Sequence, residues 1–87
     1  MKLPKLKRGD IVIVHWLDIT GSDGMPERVS LAQSQSLGYY YEQRKSQGRD
    51  CVVTTRSKNI DGDMHEWDGA DIYPLSVVTR VEKLRGE

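Results

Sequence analysis

The chain has no phenylalanine, a single cysteine, three prolines and no surplus of charge of either sign. Each shortage excludes something. Thirteen Lys+Arg against thirteen Asp+Glu give a formal charge of zero, whereas a dedicated duplex-DNA binder carries a clear basic excess. Cys51 stands alone and cannot close an internal disulfide, which fits a reducing compartment. No apolar run approaches the ~20 residues that a membrane-spanning helix needs. The basic start, Lys2 to Arg8, is not followed by the apolar stretch and small-residue cleavage site of an export signal, so a cytoplasmic protein is expected. Eighty-seven residues allow one domain, with 1–8 as a basic lead-in and 9–84 as the folded body. So small a core leaves little material to enclose a deep active site. A binding module without a cofactor is expected, rather than an enzyme.

What is present is strand-forming. Ile11-Val12-Ile13-Val14-His15-Trp16-Leu17 follows the turn signal Gly9-Asp10 and is rich in β-branched residues. Alternation puts Val12, Val14 and Trp16 on one face and Ile11, Ile13, His15 and Leu17 on the other. Asp18 is expected to end this strand by bonding to the following turn. Asp18 to Gly24 reads as a loop, and Asp23 is placed to cap a short helix through Pro26 to Ala32. Leu37 to Glu42 and Asp50 to Arg56 read as strands joined by a polar hairpin in which Gly48 supplies the unusual backbone angle. Ser57 to Gly69 is turn-prone and acidic, and reads as a long loop or irregular strand. Ala70 to Tyr73 is extended, Pro74 breaks it, and Val77 to Leu84 is the last strand. The class is therefore mainly β: a small barrel of about five strands with at most one short helix.

Three segments taken together, Gly9 to Asp18, Ser36 to Glu42 and Ile72 to Leu84, resemble a group of short, mostly uncharacterised proteins encoded by bacteriophages. Members share an opening G-D-x-V-x-V-x-W-x-D strand, a central S-x-G-aromatic strand entering a hairpin, and a closing turn of I-P type before a strand ending in Leu. The resemblance spans most of 9–84 and implies an SH3-like barrel and a phage context, but no reaction. The sequence departs from the group in Gly21 to Gln35, where Met25 stands in a region that usually carries Trp, and in its long acidic 57–71 segment.

The densest pattern is Tyr39-Tyr40-Tyr41-Glu42-Gln43-Arg44-Lys45. An exposed tyrosine beside cations can stack a base while the cations meet phosphate, and the same residues serve protein hot spots. Equally, Tyr39 and Tyr41 can replace the missing Phe in the core, leaving Tyr40 as the exposed ring. Charge is unevenly spread: residues 1–10 and 42–58 each carry a balance of +3, and residues 59–71 carry −5. A basic face for an anionic ligand and an acidic arm for a basic partner both follow from this, as does mutual attraction of solvated segments. Asn59 to His65 has alternating oxygen ligands, but Met64 and Ala70 stand where a calcium loop needs Gly and Glu. His15 and His65 have no cysteine at zinc spacing, so no metal is expected. Cys51, within an apolar run, reads as a small buried hydrophobe.

The leading expectation is a non-enzymatic module of host takeover or counter-defence that sequesters a small anionic signalling nucleotide. Tyr40 would stack it, and Arg44, Lys45, Arg49 and Arg56 would hold phosphate. Such a pocket would form between copies of a homo-oligomer, because a subunit this small offers little concavity. A second expectation is an inhibitor of a host protein, using Trp67 with Asp63, Glu66 and Asp68. A third is single-stranded nucleic-acid binding.

Overall fold

The computed structural model describes residues 3–20, 30–62 and 64–85. Five antiparallel strands form one sheet: β1 (Ile11–Thr20), β2 (Ser30–Ser46), β3 (Arg49–Asp61), β4 (Met64–Pro74) and β5 (Val78–Arg85). Their order is β4-β3-β2-β1-β5, so the chain meanders through four strands and then returns its last strand to the first. Among the described residues the only helical element is a 3-10 turn, Leu75–Val77, which begins after Pro74. This is the mainly β class that the composition predicts, and the returning strand is consistent with a small barrel-like domain.

The core follows from alternation on β1. Val12 and Val14 are fully buried and meet Tyr73, Val78 and Val81, with Leu3, Leu6, Trp16, Tyr40 and Leu75 packed at the margin. Burying each valine contributes about 1.5–3 kcal/mol. The register sets small residues against this bulk: Gly38 opposes Val12, Ser36 opposes Val14 and Ser34 opposes Trp16. At Gly38 a Cβ would lie 3.1 Å from the Thr55 carbonyl oxygen, so glycine lets β2 approach β3 closely. Cys51 is buried, as expected of a small hydrophobe in this run.

The hairpin joining β2 and β3 falls where the sequence predicts it, with Gly48 at the turn, but the strands run further than expected, to Ser46 and from Arg49. Ser46 pairs with Arg49, and the two residues between them, Gln47 and Gly48, have φ of 51° and 75°, as a two-residue primed turn requires. Two expectations need correction and a third resolves between its alternatives. The helix placed over Asp23 to Ala32 lies mainly outside the described residues, but Leu31 and Ala32 belong to β2. Pairing with β1 decides this, because the ladder runs unbroken to Thr20↔Ser30. For the same reason Asp18 does not end β1, and it pairs with Ala32. Of the two readings of the acidic 57–69 segment, loop or irregular strand, the strand is the one the structure takes. Ser57 pairs with Asp68 and Asp61 with Met64, making a second long hairpin. Hairpin length gives the molecule its shape, 54 × 27 × 25 Å, with a radius of gyration of 15.0 Å. A sphere of this chain length would have about 12 Å.

Candidate functional site

Several grooves result from this sheet, and two of them gather aromatic side chains. The outer one begins with a bulge. Tyr40 pairs with Thr54 and Glu42 with Val53, so Tyr41 is the extra residue and its carbonyl has no ladder partner. The lead-in supplies one. Gly9 N–H donates to the Tyr40 carbonyl at 2.8 Å, and Tyr40 N–H donates to the Asp10 carbonyl at 2.8 Å. The buried Asp10 carboxylate accepts from Lys7 N–H at 2.8 Å, closing the turn. Arg8 is thereby laid across the bulge. Its Nε donates to the Tyr41 carbonyl at 3.0 Å, its guanidinium carbon sits 4.1 Å from the centre of the Tyr41 ring, and its Nη2 reaches Glu42 Oε1 at 3.3 Å. Arg44 Nε donates to the other Glu42 oxygen at 2.6 Å.

Trp67 closes this cluster from β4. Its ring meets Tyr41 edge-on, with centroids 5.8 Å apart and planes at 74°. Lys58 Nζ lies 5.4 Å from the Tyr39 ring centre and 5.8 Å from that of Trp67. Gly9 permits the packing: its φ is 98°, and a Cβ there would touch both Trp67 and Lys58 at 3.4 Å. The groove encloses about 280 Å³ between Tyr41, Arg44 and Trp67, over Val53, Thr55 and Ala70. Thr55 is buried, and its Oγ1 is the one buried side-chain polar atom among the described residues that lacks a hydrogen-bond partner.

The second groove is larger, about 710 Å³. Trp16 and Tyr73 line it with rings 5.7 Å apart, and Trp16 Nε1 donates to Ser36 Oγ at 3.0 Å. Leu37 and Ile72 line it while remaining 66% and 48% exposed. Arg56 and Asp71 form a two-pronged ion pair within it, at 3.1 and 2.9 Å. Its lining comes from β1, β2, β3 and β4, and the β1 and β4 segments there have uncovered strand edges. Among the described residues β4 pairs only with β3, and the pairing of β5 with β1 stops at Trp16↔Val78.

The structure brings some of the residues picked from sequence together and separates others. Tyr40 packs against the core, and burial is the chief cause of its raised phenol pKa, so it is not an exposed ring; all three tyrosines are half-buried. The register with β1 explains the place of Tyr40, because Gly38 opposes the core residue Val12 and Tyr40, two residues on, shares that face, whereas Tyr39 opposes Ile11. Arg44 lines the outer groove, and Arg56 lines the larger one. Lys45 and Arg49 are exposed beside the Gln47-Gly48 turn. Arg44 and Lys45 line a recess of about 370 Å³ together with Asp50, and Arg49 lines a neighbouring one with the same Asp50, so among these cations Arg56 stands apart. Trp67 folds back on the sheet, Glu66 and Asp68 are exposed on the β4 arm, and Asp63 lies outside the described residues. Residues missed from sequence are Tyr41 and Thr55 in the outer groove, Arg8 and Lys58 against its aromatic rings, and Leu37, Ile72 and Tyr73 in the larger groove. Leu37 and Tyr41 were legible as strand residues, but only the register reveals what they border.

A further cluster lies between β1 and β5. His15 Nε2 and Arg80 Nη2 both lie 2.5 Å from Glu82 Oε1, and the His15 hydrogen bond is the main cause of a lowered Glu82 pKa. Among the described residues no group of three or more His, Cys, Asp or Glu is placed to hold a metal ion. No protein-family model, curated protein or solved structure matches the chain.

Proposed function

We propose that the chain is a protein-binding module that takes an extended segment of a partner into the larger groove and acts by occupying it. The observation that carries this reading is the position of that groove. It runs between two strand edges that lack neighbours among the described residues, the 71–74 edge of β4 and the edge of β1 from Leu17 onward. Uncovered edges hydrogen-bond an added strand, and pockets beside them read alternate side chains. Trp16 and Tyr73 offer an aromatic wall, and the exposed Leu37 and Ile72 offer apolar surface that solvent does not favour. The Arg56–Asp71 pair gives a polar limit to the slot.

The resemblance to short phage-encoded proteins supports a partner within an infected bacterial cell, where masking a host protein is the simplest occupancy mechanism. A pull-down from bacterial lysate tests the reading with the wild-type chain and the exposed substitutions Ile72→Lys and Leu37→Lys. The expected outcome is a host protein retained by the wild type and lost with both variants, each still melting cooperatively. Equal retention by the three proteins refutes the groove as the docking site.

A further inference from the structure

The outer groove shares no lining residue with the larger one. It also carries a different chemistry. Tyr41 and Trp67 stand edge to face, so they form a corner rather than a stack. A planar ring laid on either aromatic face presents its edge to the other, an arrangement that heteroaromatic rings adopt readily. The floor adds a hydrogen-bonding group, because the Thr55 hydroxyl has no partner within the protein. A buried hydroxyl can donate or accept, and leaving one unsatisfied costs about 1–3 kcal/mol, which a polar ring edge would offset. The volume of about 280 Å³ is close to the lower bound of roughly 300 Å³ for small-ligand pockets.

The rim decides charge. Arg8 and Arg44 converge on Glu42, whose two oxygens accept one guanidinium each. Within this trio two guanidinium groups share one carboxylate and leave a single positive charge, and the Lys58 ammonium lies beside Trp67 as a further cation. We propose that this groove binds a planar heteroaromatic ligand bearing a phosphate of low charge, of the nucleoside-monophosphate class, and that Glu42 limits the charge it accepts. Glu42 holds the geometry that a ligand phosphate would need. It therefore repels a triphosphate more than a monophosphate, and its removal frees donors of both arginines.

Calorimetry with adenosine, AMP and ATP tests the proposal on the full chain. The wild type is expected to bind AMP more tightly than adenosine and to gain nothing further from ATP. Glu42→Gln should bind ATP about threefold to fivefold more tightly than the wild type does, the range of an exposed charge pair, with a smaller change for AMP. Trp67→Leu should abolish binding of all three probes. Arg44→Ala, a surface change, should bring AMP down to the affinity of adenosine. No heat with AMP in the wild type overturns the site. An unchanged AMP-to-ATP ratio in Glu42→Gln overturns the role of Glu42. Neither outcome touches the larger groove, which Ile72→Lys reports separately.

Discussion

Replacing Asp10 with alanine removes the one carboxylate among the described residues that is essentially inaccessible, at 1% exposure. It accepts Lys7 N–H at 2.8 Å and lies 3.5 Å from Lys83 Nζ. A hydrogen bond to a charged acceptor contributes about 1.5–3 kcal/mol. The ion pair adds less than about 1 kcal/mol, because its lysine side chain is partly exposed and water screens it. The loss is therefore about 2–4 kcal/mol, set against a total of roughly 4–13 kcal/mol expected for a chain of this length. At about 4–8 °C per kcal/mol for small domains, the melting temperature should fall by roughly 10–30 °C. Asp10→Asn keeps an acceptor for Lys7 and loses only the charge, so it should lose about 1 kcal/mol. Urea unfolding at constant m-value measures both differences. An Asp10→Ala variant within about 0.5 kcal/mol of wild type would refute the reasoning, since that is the ordinary range of surface substitutions. So would an asparagine variant as damaged as the alanine one, because the acceptor would then contribute nothing of its own.

Two further predictions concern the sheet. The folded pKa of Glu82 lies below its ordinary value, chiefly through the His15 hydrogen bond, so its contribution is present above the unfolded pKa and is lost as pH falls through the folded one. Urea midpoints measured from pH 7 down to pH 3 should drop more steeply below about pH 5 in the wild type than in Glu82→Gln, and parallel curves contradict the assignment. Gly69 has φ of 72°, and a Cβ there would lie 3.0 Å from Arg56 Cβ. Gly69→Ala should lose about 1–3 kcal/mol from backbone strain alone. A thermal melt that matches the wild type excludes that backbone conformation.

The amino-acid sequence by itself determined the features that depend on near neighbours. The β class follows from runs such as Ile11 to Trp16 and Cys51 to Thr55, whose branched side chains suit a pleated surface. The Gln47-Gly48 turn follows from the conformational freedom of a glycine between two strand-forming segments. Burial of Cys51 follows from its apolar context. Only the tertiary structure decided the rest. Ser30 to Ser36 carries little β propensity, and it is a strand because β1 offers a ladder and Trp16 and Val14 need small residues opposite them. Trp67 was legible as an aromatic on the acidic arm, but its place against Tyr41 depends on a bulge and on the positive φ of Gly9, neither of which the local sequence dictates. The separation of Arg44 from Arg56 has the same origin. Twelve positions apart on neighbouring strands, they line different grooves because pairing register and a one-residue bulge, not sequence distance, fix which side of the sheet a side chain serves.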